Sequence, residues 1–343
     1  MNLTISLPKI FKMKHILGIG NALVDVMTPI DKDDILKKFS LPKGSMQLVD
    51  KEMSRAVKEG TSGFKTNLAS GGSAANTIHG LAMLNSNTGF IGSIGRDETG
   101  DFFENDMKRA GVKTMLIRRD TMTGTAVALI SPDSERTFAT HLGAAIELSA
   151  DDLKADLFKS FHILYLEGYL INDKSLVEKA CNLAKENKMK IALDLASYNV
   201  VDAKKDDFKE IIDKYIDIVF ANEEEARSFT GLAPEDALKQ IAGHTDIAVV
   251  KIGKEGSLIM RGQEIVKVGS LQILSKDTTG AGDLYASGFL YGYANDLPLD
   301  KCGVMGSLLA GNVIETVGAK IPDSKWQGIR DQVSAIFKEK DRI

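Results

Sequence analysis

The chain has 343 residues, of which 43% are hydrophobic and 26% are charged, and its formal net charge is −4. This composition is typical of a folded globular protein, and the weak negative charge without a basic stripe argues against nucleic acid as a partner. No apolar run approaches the roughly 20 residues of a membrane span. Cys181 and Cys302 stand far apart and no secretory signal precedes them, so we expect buried thiols and a cytoplasmic location.

Residues 1–12 are expected to be an N-terminal extension, because Met13 opens a more natural start, and residues 13–343 are expected to form a single domain. Short apolar runs predict buried strands at residues 16–19, 88–91, 163–166, 190–195, 216–220 and 247–252. Helices are expected at residues 99–110, 176–186 and 284–294. This alternation predicts an α/β fold, with a doubly wound, mostly parallel sheet and helices on both faces.

Two segments, around residues 27–50 and 114–142, interrupt that alternation with short strand-like patterns. Within the second, residues 124–130 and 136–141 flank a turn and are expected to form a hairpin. The two segments could pair into a small β-lid, which would suit phosphoryl transfer because water is a competing acceptor. A surface excursion without function is about equally consistent with the pattern.

The most informative motif is DTTGAGD at residues 277–283, which follows an expected strand at residues 271–274 and precedes an expected helix. The amides of Gly280, Ala281 and Gly282 would face an anion at the start of that helix. Asp283, in the first turn, could accept a proton from a hydroxyl that attacks phosphorus. The alternative is an aspartate that only stabilises a helix start. The seven residues with their flanks favour the catalytic interpretation.

Residues 277–283 resemble the second signature of the PfkB carbohydrate kinase family, and residues 70–77 with Gly80 resemble its first signature. The resemblance extends from about Met13 onwards and implies a ribokinase-like fold and an ATP-dependent kinase that uses Mg²⁺. Carboxylate and amide side chains can hold adjacent hydroxyls, and glycines permit close approach. The residues that match acceptor-binding positions of the family are Asn21, Asp25, Gly71, Gly72 and Asn76.

On the nucleotide side, Asn222 and Glu225 resemble the family's Asn-x-x-Glu motif, which would order the waters of Mg²⁺. In isolation, a capped acidic helix start explains the same residues. In related kinases a K⁺ ion lies beside the anion hole, at positions that match Asp277 and Thr279. The other residues that match nucleotide-binding positions are Lys251, Gly253, Gly256, Gly280, Gly282 and Asn312.

Within the family, the chain most resembles the adenosine kinase branch. Arg136 matches a lid arginine that reaches the transferring phosphate, and Tyr169 falls where that branch has an aromatic ring stacked on the purine. Phe138 and Leu142 match apolar lid positions. The resemblance implies transfer of the γ-phosphate of ATP to the 5′-hydroxyl of a purine nucleoside, adenosine first, in purine salvage.

Three residues depart from that branch: Thr279 replaces asparagine, Ala75 replaces glutamine, and Asn199 stands where an aromatic residue is usual. Inosine, guanosine, ribose, fructose and other sugars therefore remain alternative acceptors, and the protein could be a monomer or a homodimer.

Other function classes fit the sequence less well. A Rossmann oxidoreductase is disfavoured because Leu23 occupies the place of the third fingerprint glycine, and no P-loop motif is present. A binding protein without catalysis is disfavoured because Asp283 is retained together with Gly280 and Gly282.

Overall fold

The computed structural model describes residues 14–133 and 135–340, so the expected extension at residues 1–12 lies outside the described residues. The strands of the described part are β1 (Ile16–Ile19), β2 (Leu23–Pro29), β3 (Met46–Leu48), β4 (Asn67–Gly71), β5 (Thr88–Gly95), β6 (Lys113–Arg119), β7 (Thr123–Ile130), β8 (Arg136–Gly143), β9 (Ile163–Glu167), β10 (Lys190–Asp194), β11 (Ile218–Asn222), β12 (Ile247–Lys251), β13 (Ser257–Arg261) and β14 (Glu264–Val268).

The α-helices of the described part are α1 (Asp34–Lys38), α2 (Lys51–Gly60), α3 (Ser73–Met83), α4 (Glu98–Arg109), α5 (Lys174–Glu186), α6 (Tyr198–Tyr215), α7 (Glu223–Thr230), α8 (Pro234–Ala242), α9 (Ala281–Ala294), α10 (Leu299–Ile314) and α11 (Trp326–Lys340). None of these helices is long and apolar enough to cross a membrane.

The large sheet has nine strands in the order β14-β13-β12-β11-β10-β9-β1-β5-β6. Its strands pair in parallel except for β13 and β14, which are antiparallel at one edge. The chain runs outward from β1 to β5 and β6 on one side, and from β9 to β12 on the other. This confirms the doubly wound, mostly parallel sheet. The order reverses between β1 and β9, and ligands of such sheets bind at the carboxyl ends of the strands there.

Apolar residues cover both faces of the large sheet. On one face Phe90, Phe220 and Phe289 belong to a buried cluster with residues of α3, α9 and α10, whereas on the other Phe158 and Phe208 belong to a cluster with residues of α5 to α8. Near-continuous apolar strands are therefore explained by burial on both sides. The side chains of Cys181 and Cys302 are both buried thiols, as expected.

A second sheet of five strands, ordered β3-β8-β7-β2-β4, forms the β-lid, and α2 packs on it through a small apolar cluster that includes Val57, Leu129 and Ala139. The expected hairpin is the antiparallel pair β7 and β8. The segment boundaries differ from the prediction, because residues 114–119 extend the large sheet beside β5, and β4 also belongs to the lid. Strand pairing assigns these segments, and the local pattern does not encode it.

The strand expected at residues 271–274 is wrong. The chain leaves the sheet after Val268 and crosses α10, where the side chain of Leu271 packs against Gly311. Leu274 is 86% exposed. An apolar run without a neighbouring strand to pair with gains no backbone hydrogen bonds and stays irregular.

Candidate active site

Polar residues end neighbouring strands of the large sheet at one edge. Glu167, Asp194, Asn222 and Lys251 are the last residues of β9, β10, β11 and β12, and Asn21 follows β1. Because the carboxyl ends of parallel strands share an edge, these side chains lie along one edge of the sheet, which includes the order reversal between β1 and β9. Sequence reasoning missed Glu167 and Asp194. The available signal was a single acidic residue closing each apolar run.

Glu167 links three elements across the order reversal. Its Oε1 accepts hydrogen bonds from the amide of Asn21 at 2.9 Å and from Asn21 Nδ2 at 2.6 Å, and its Oε2 accepts from the amide of Ala74 at 2.9 Å. Burial raises the pKa of Glu167 to about 7 against the opposing effect of these bonds. The side-chain amide of Asn21, expected to contact acceptor hydroxyls, is thus engaged with the protein itself.

The glycine-rich turn at residues 277–282, which leads into α9 and is called the anion turn below, has in part the geometry expected of an anion hole. Gly280 has φ +75°, and a Cβ there would lie 2.8 Å from the Cα of Ala319, so glycine is required. The amides of Gly280 and Gly282 donate to no group in the described part of the chain. The amide of Ala281 differs from the prediction, because it donates to the carbonyl of Thr278 at 3.1 Å and closes the turn.

Asp283 lies in the first turn of α9 and is held by the first turn of α3. Ser73 Oγ donates to its Oδ1 at 2.7 Å, and Asn76 Nδ2 donates to its Oδ2 at 2.9 Å. Burial raises the pKa of Asp283 to about 6, although the bonds from Asn76 and Ser73 oppose the rise. The carboxylate is therefore ionised at neutral pH. Asn76, expected to contact the acceptor, instead donates to the expected base, while its Oδ1 is buried and has no partner among the described residues.

Asp25, on β2, has a carboxylate that accepts no hydrogen bond from the described residues. Any side chain at Gly71 would overlap that carboxylate, and one at Gly72, where φ is +97°, would overlap the carbonyl of Asn21. The two glycines thus make room for the protein's own groups. Burial raises the pKa of Asp25 to about 7, with Lys320 lowering it.

Lys251 lies behind the anion turn. Its Nζ donates to Asp194 Oδ2 at 2.9 Å, and a Cβ at Gly282 would lie 3.1 Å from that Nζ. Burial lowers the pKa of Lys251, but Asp194 and Glu225 outweigh this effect and the net pKa is raised. The charged ammonium of Lys251 therefore lies close to the turn, next to Gly282.

The other expected nucleotide-side residues have mainly local partners. Gly253 and Gly256 have φ values of +53° and +101° in the turn between β12 and β13. Asn312 Nδ2 donates to the carbonyl of Leu308 at 2.9 Å, one turn back on α10. Asn222 and Glu225 form a reciprocal capping box at the start of α7, with bonds of 2.7–2.8 Å.

The charge state of Glu225 depends on its surroundings. Burial, followed by the charge of Asp194, raises its pKa to about 7. The described part of the chain contains no group of three or more His, Cys, Asp or Glu side chains that could hold a metal ion.

The lid touches the anion turn through Arg136. Its guanidinium forms an ion pair with Asp277, and the two side chains are 9% and 4% exposed. Arg136 Nη1 also donates to Thr279 Oγ1 at 3.1 Å. The same Asp277 carboxylate accepts from the amides of Thr279 at 2.9 Å and Gly318 at 2.6 Å. A K⁺ ion at Asp277 would have to share this carboxylate with Arg136.

Residues with even numbers on β8 share one face of the lid, because side chains alternate along a strand. Arg136 and Phe138 line a cleft of about 450 Å³ between the lid and residues 275–279, and Leu142 lies further along the same face. Tyr169 lies after β9, and burial raises its pKa to about 12, opposed by a hydrogen bond with Ser197. Phe138 and Leu142 are thus positioned by the lid strand β8, whereas Tyr169 is positioned by the segment that follows β9 in the large sheet.

Comparison with known proteins identifies the family. The profile of the pfkB family carbohydrate kinases matches residues 44–326. The adenosine kinase of Saccharomyces cerevisiae is 29% identical over 336 residues, which cover 90% of this chain and 96% of that protein. Two solved structures each have a TM-score of 0.84 and 32% identity over 93% of this chain. They are the adenosine kinase of Sinorhizobium meliloti, covered to 99%, and a probable sugar kinase of Rhizobium etli, covered to 98%.

The relatives agree on the chemistry and differ in the acceptor that their names give. An ionised carboxylate beside free amides at a helix start suits the transfer of a phosphoryl group to a hydroxyl. The match over residues 44–326 includes both signatures and the strand-end residues Glu167, Asp194, Asn222 and Lys251. The chain belongs to the pfkB family of carbohydrate kinases, phosphotransferases that act on hydroxyl groups of sugars or nucleosides.

Proposed function

We propose that this protein transfers the γ-phosphate of ATP to the 5′-hydroxyl of a purine nucleoside, with adenosine as the preferred acceptor and AMP as the product. The observation that carries the proposal is the carboxylate of Asp283, which Ser73 and Asn76 fix in the first turn of α9. It follows directly on Gly280 and Gly282, whose amides donate to no group in the described part of the chain. We expect Asp283 to accept the hydroxyl proton as the hydroxyl oxygen attacks phosphorus.

The acceptor would lie between Asp283 and Asp25. The carboxylate of Asp25 accepts no hydrogen bond from the residues that the structure describes, and it can accept hydrogen bonds from two adjacent hydroxyls, as a ribose requires. The free amides of the turn would stabilise the charge on the transferring phosphoryl group. Arg136 would contribute to the same charge from the lid, after leaving Asp277.

Mg²⁺ bound to the ATP phosphates would neutralise part of the charge that develops during transfer. Asn222 and Glu225 would order its waters, and Lys251 would support the phosphate-binding turn from below. The turn that contains Gly253 and Gly256 would run alongside the bound nucleotide. A cytoplasmic role in purine salvage belongs to the same proposal.

Support for a nucleoside over a sugar comes from Tyr169, Phe138 and Leu142, which would cover a purine. Burial of one purine face contributes about 2–3 kcal/mol at roughly 25 cal/mol per Å². This corresponds to roughly 30–150-fold in affinity. The resemblance to adenosine kinases over most of the chain agrees with this preference.

The test compares kcat/KM for adenosine, inosine, guanosine, ribose and fructose. The same panel is repeated with Tyr169→Ala and with Tyr169→Phe, which keeps the ring. We expect adenosine to be the best acceptor, and the nucleoside-to-sugar ratio to fall in Tyr169→Ala only. A sugar that exceeds every nucleoside would favour the second candidate, a sugar kinase, which the probable sugar kinase of Rhizobium etli supports.

A further inference from the structure

Outside the site described above, a second cavity of about 290 Å³ lies on the side of β4 and α3 that faces α4 and the segment after α10. This volume is near the lower end of small-molecule sites. The side chains that line it and carry the argument below are His79, Asp106, Arg109 and Lys320. We refer to it as the Lys320 cavity.

The ammonium of Lys320 has no hydrogen-bond partner in the described part of the chain, and its Nζ is buried although the residue as a whole is partly accessible. Burial lowers the pKa of Lys320 to about 8, and the charges of Asp106, Asp25 and Asp283 oppose that shift. The protonated form therefore still predominates at neutral pH. A buried charge without a hydrogen-bond partner is costly, so the cavity contains a cation with which no anion of the described residues forms a hydrogen bond.

Asp106 is the lining acid whose charge acts most strongly on Lys320, and its carboxylate already has other partners. Asp106 Oδ2 accepts from the amide of Ser70 at 3.0 Å and from Ser70 Oγ at 2.7 Å, while Asp106 Oδ1 is paired with Arg109. The other acidic residue of the lining, Asp323, is exposed at the rim. Neither carboxylate accepts a hydrogen bond from the ammonium of Lys320.

Two further groups in the lining can donate to an anion. The guanidinium of Arg109 uses Nη2 for Asp106 and is 74% exposed, so its other N–H groups remain open to the mouth. His79 has its pKa lowered well below the usual value by burial, and then by the charges of Lys320 and Arg109, so it is neutral and its ring can donate one hydrogen bond.

We propose that the Lys320 cavity binds a small oxyanion, the carboxylate or phosphate group of a free ligand, between the ammonium of Lys320 and the guanidinium of Arg109. The cavity lies close to the acceptor side of the active site. His79 is one turn beyond Asn76 on α3, and Ala69 in its lining pairs with Asp25 across β4 and β2. It is separate from the anion turn, which begins α9.

The test measures binding of inorganic phosphate and, separately, of acetate by thermal shift, with the full chain saturated with Mg²⁺ and a non-hydrolysable ATP analogue. The analogue fills the anion turn, so stabilisation by the added anion reports a second site. The variants are Lys320→Met and, as a matched control on the other face of the large sheet, Lys214→Met. This readout does not depend on which acceptor the enzyme uses.

We expect phosphate, acetate or both to stabilise the wild-type protein and Lys214→Met, and the affinity of Lys320→Met to fall by about tenfold or more. The anion that stabilises identifies the phosphate or carboxylate source. Stabilisation by neither anion, or equal stabilisation of all three proteins, would overturn the proposal. If Lys320→Met does not fold, Arg109→Gln takes its place, and unchanged phosphate and acetate affinities in that variant would overturn it equally.

Discussion

Removal of the Ser73 hydroxyl should move the pH dependence of the reaction. Ser73 Oγ donates to Asp283 Oδ1 at 2.7 Å and stabilises the carboxylate. A hydrogen bond to a charged group contributes about 1.5–3 kcal/mol, and 1.36 kcal/mol corresponds to one pKa unit. Ser73→Ala should therefore raise the pKa of Asp283 from about 6 by roughly one unit or more.

The sign of the effect on activity follows from the role proposed for Asp283. A base acts when deprotonated, so kcat/KM falls as the pH falls through its pKa. A raised pKa shifts this acidic limb to higher pH, and Ser73→Ala should lose activity at pH 6 while approaching the wild type above pH 8. The pKa of Asp25 is about 7, so Asp25 titrates in an overlapping pH range, but it forms no hydrogen bond with Ser73.

The assay is a profile of kcat/KM against pH for the wild type, Ser73→Ala and Ser287→Ala. Ser287 is a matched control, because it is buried on α9 and its Oγ has no partner in the described part of the chain. Asn76→Ala should shift the limb in the same direction as Ser73→Ala. If the acidic limb of kcat/KM lies at the same pH in Ser73→Ala and Ser287→Ala, the reasoning is refuted. If Asn76→Ala raises KM without shifting the limb, Asn76 contacts the acceptor and does not act through Asp283.

Three further changes test the rest of the site. Asp283→Asn should keep its melting temperature and ATP binding but lose about 10²–10⁴-fold in kcat, and near-normal turnover would contradict the proposed base. Gly282→Val should reduce activity far more than melting temperature, because its Cβ would meet the Nζ of Lys251 at 3.1 Å; equal losses of both would indicate a structural glycine. Exchange of Na⁺ for K⁺ at fixed ionic strength should raise activity. The increase should be larger in Arg136→Ala, because the Asp277 carboxylate is then released from its ion pair. Identical rates in both salts for both proteins would exclude the proposed K⁺ site at Asp277 and Thr279.

The sequence was sufficient to predict six adjacent strands of the large sheet, β12 to β5 in the sheet order, and the glycine-rich turn before α9, and the physical reasons differ. Strands covered on both faces have continuous apolar runs, such as residues 163–166 and 247–252, and these can be recognised one at a time. The turn at Gly280 is recognisable because a left-handed backbone before a helix requires glycine. Both signals are local.

The features that sequence reasoning missed depend on which segments become neighbours. Glu167 matters because β9 lies beside β1, and Asn76 donates to Asp283 because α3 packs on α9. The pattern of residues 114–119 fits a strand of either sheet, and their pairing with β5 places them in the large sheet. A single chain segment carries no record of these pairings, so partners and sheet membership could not be read from it.

The two sheets are interleaved along the chain, and this has a consequence for folding. Leu23 on β2 pairs with Gly124 on β7, about one hundred residues later, and β5, α4 and β6 of the large sheet lie between them. Closing a loop of that length costs conformational entropy before the strands gain their contacts. Because the large-sheet elements can shorten this loop once they have formed, we expect the lid to assemble after the first half of the large sheet, and a destabilised β5 to slow lid formation as well.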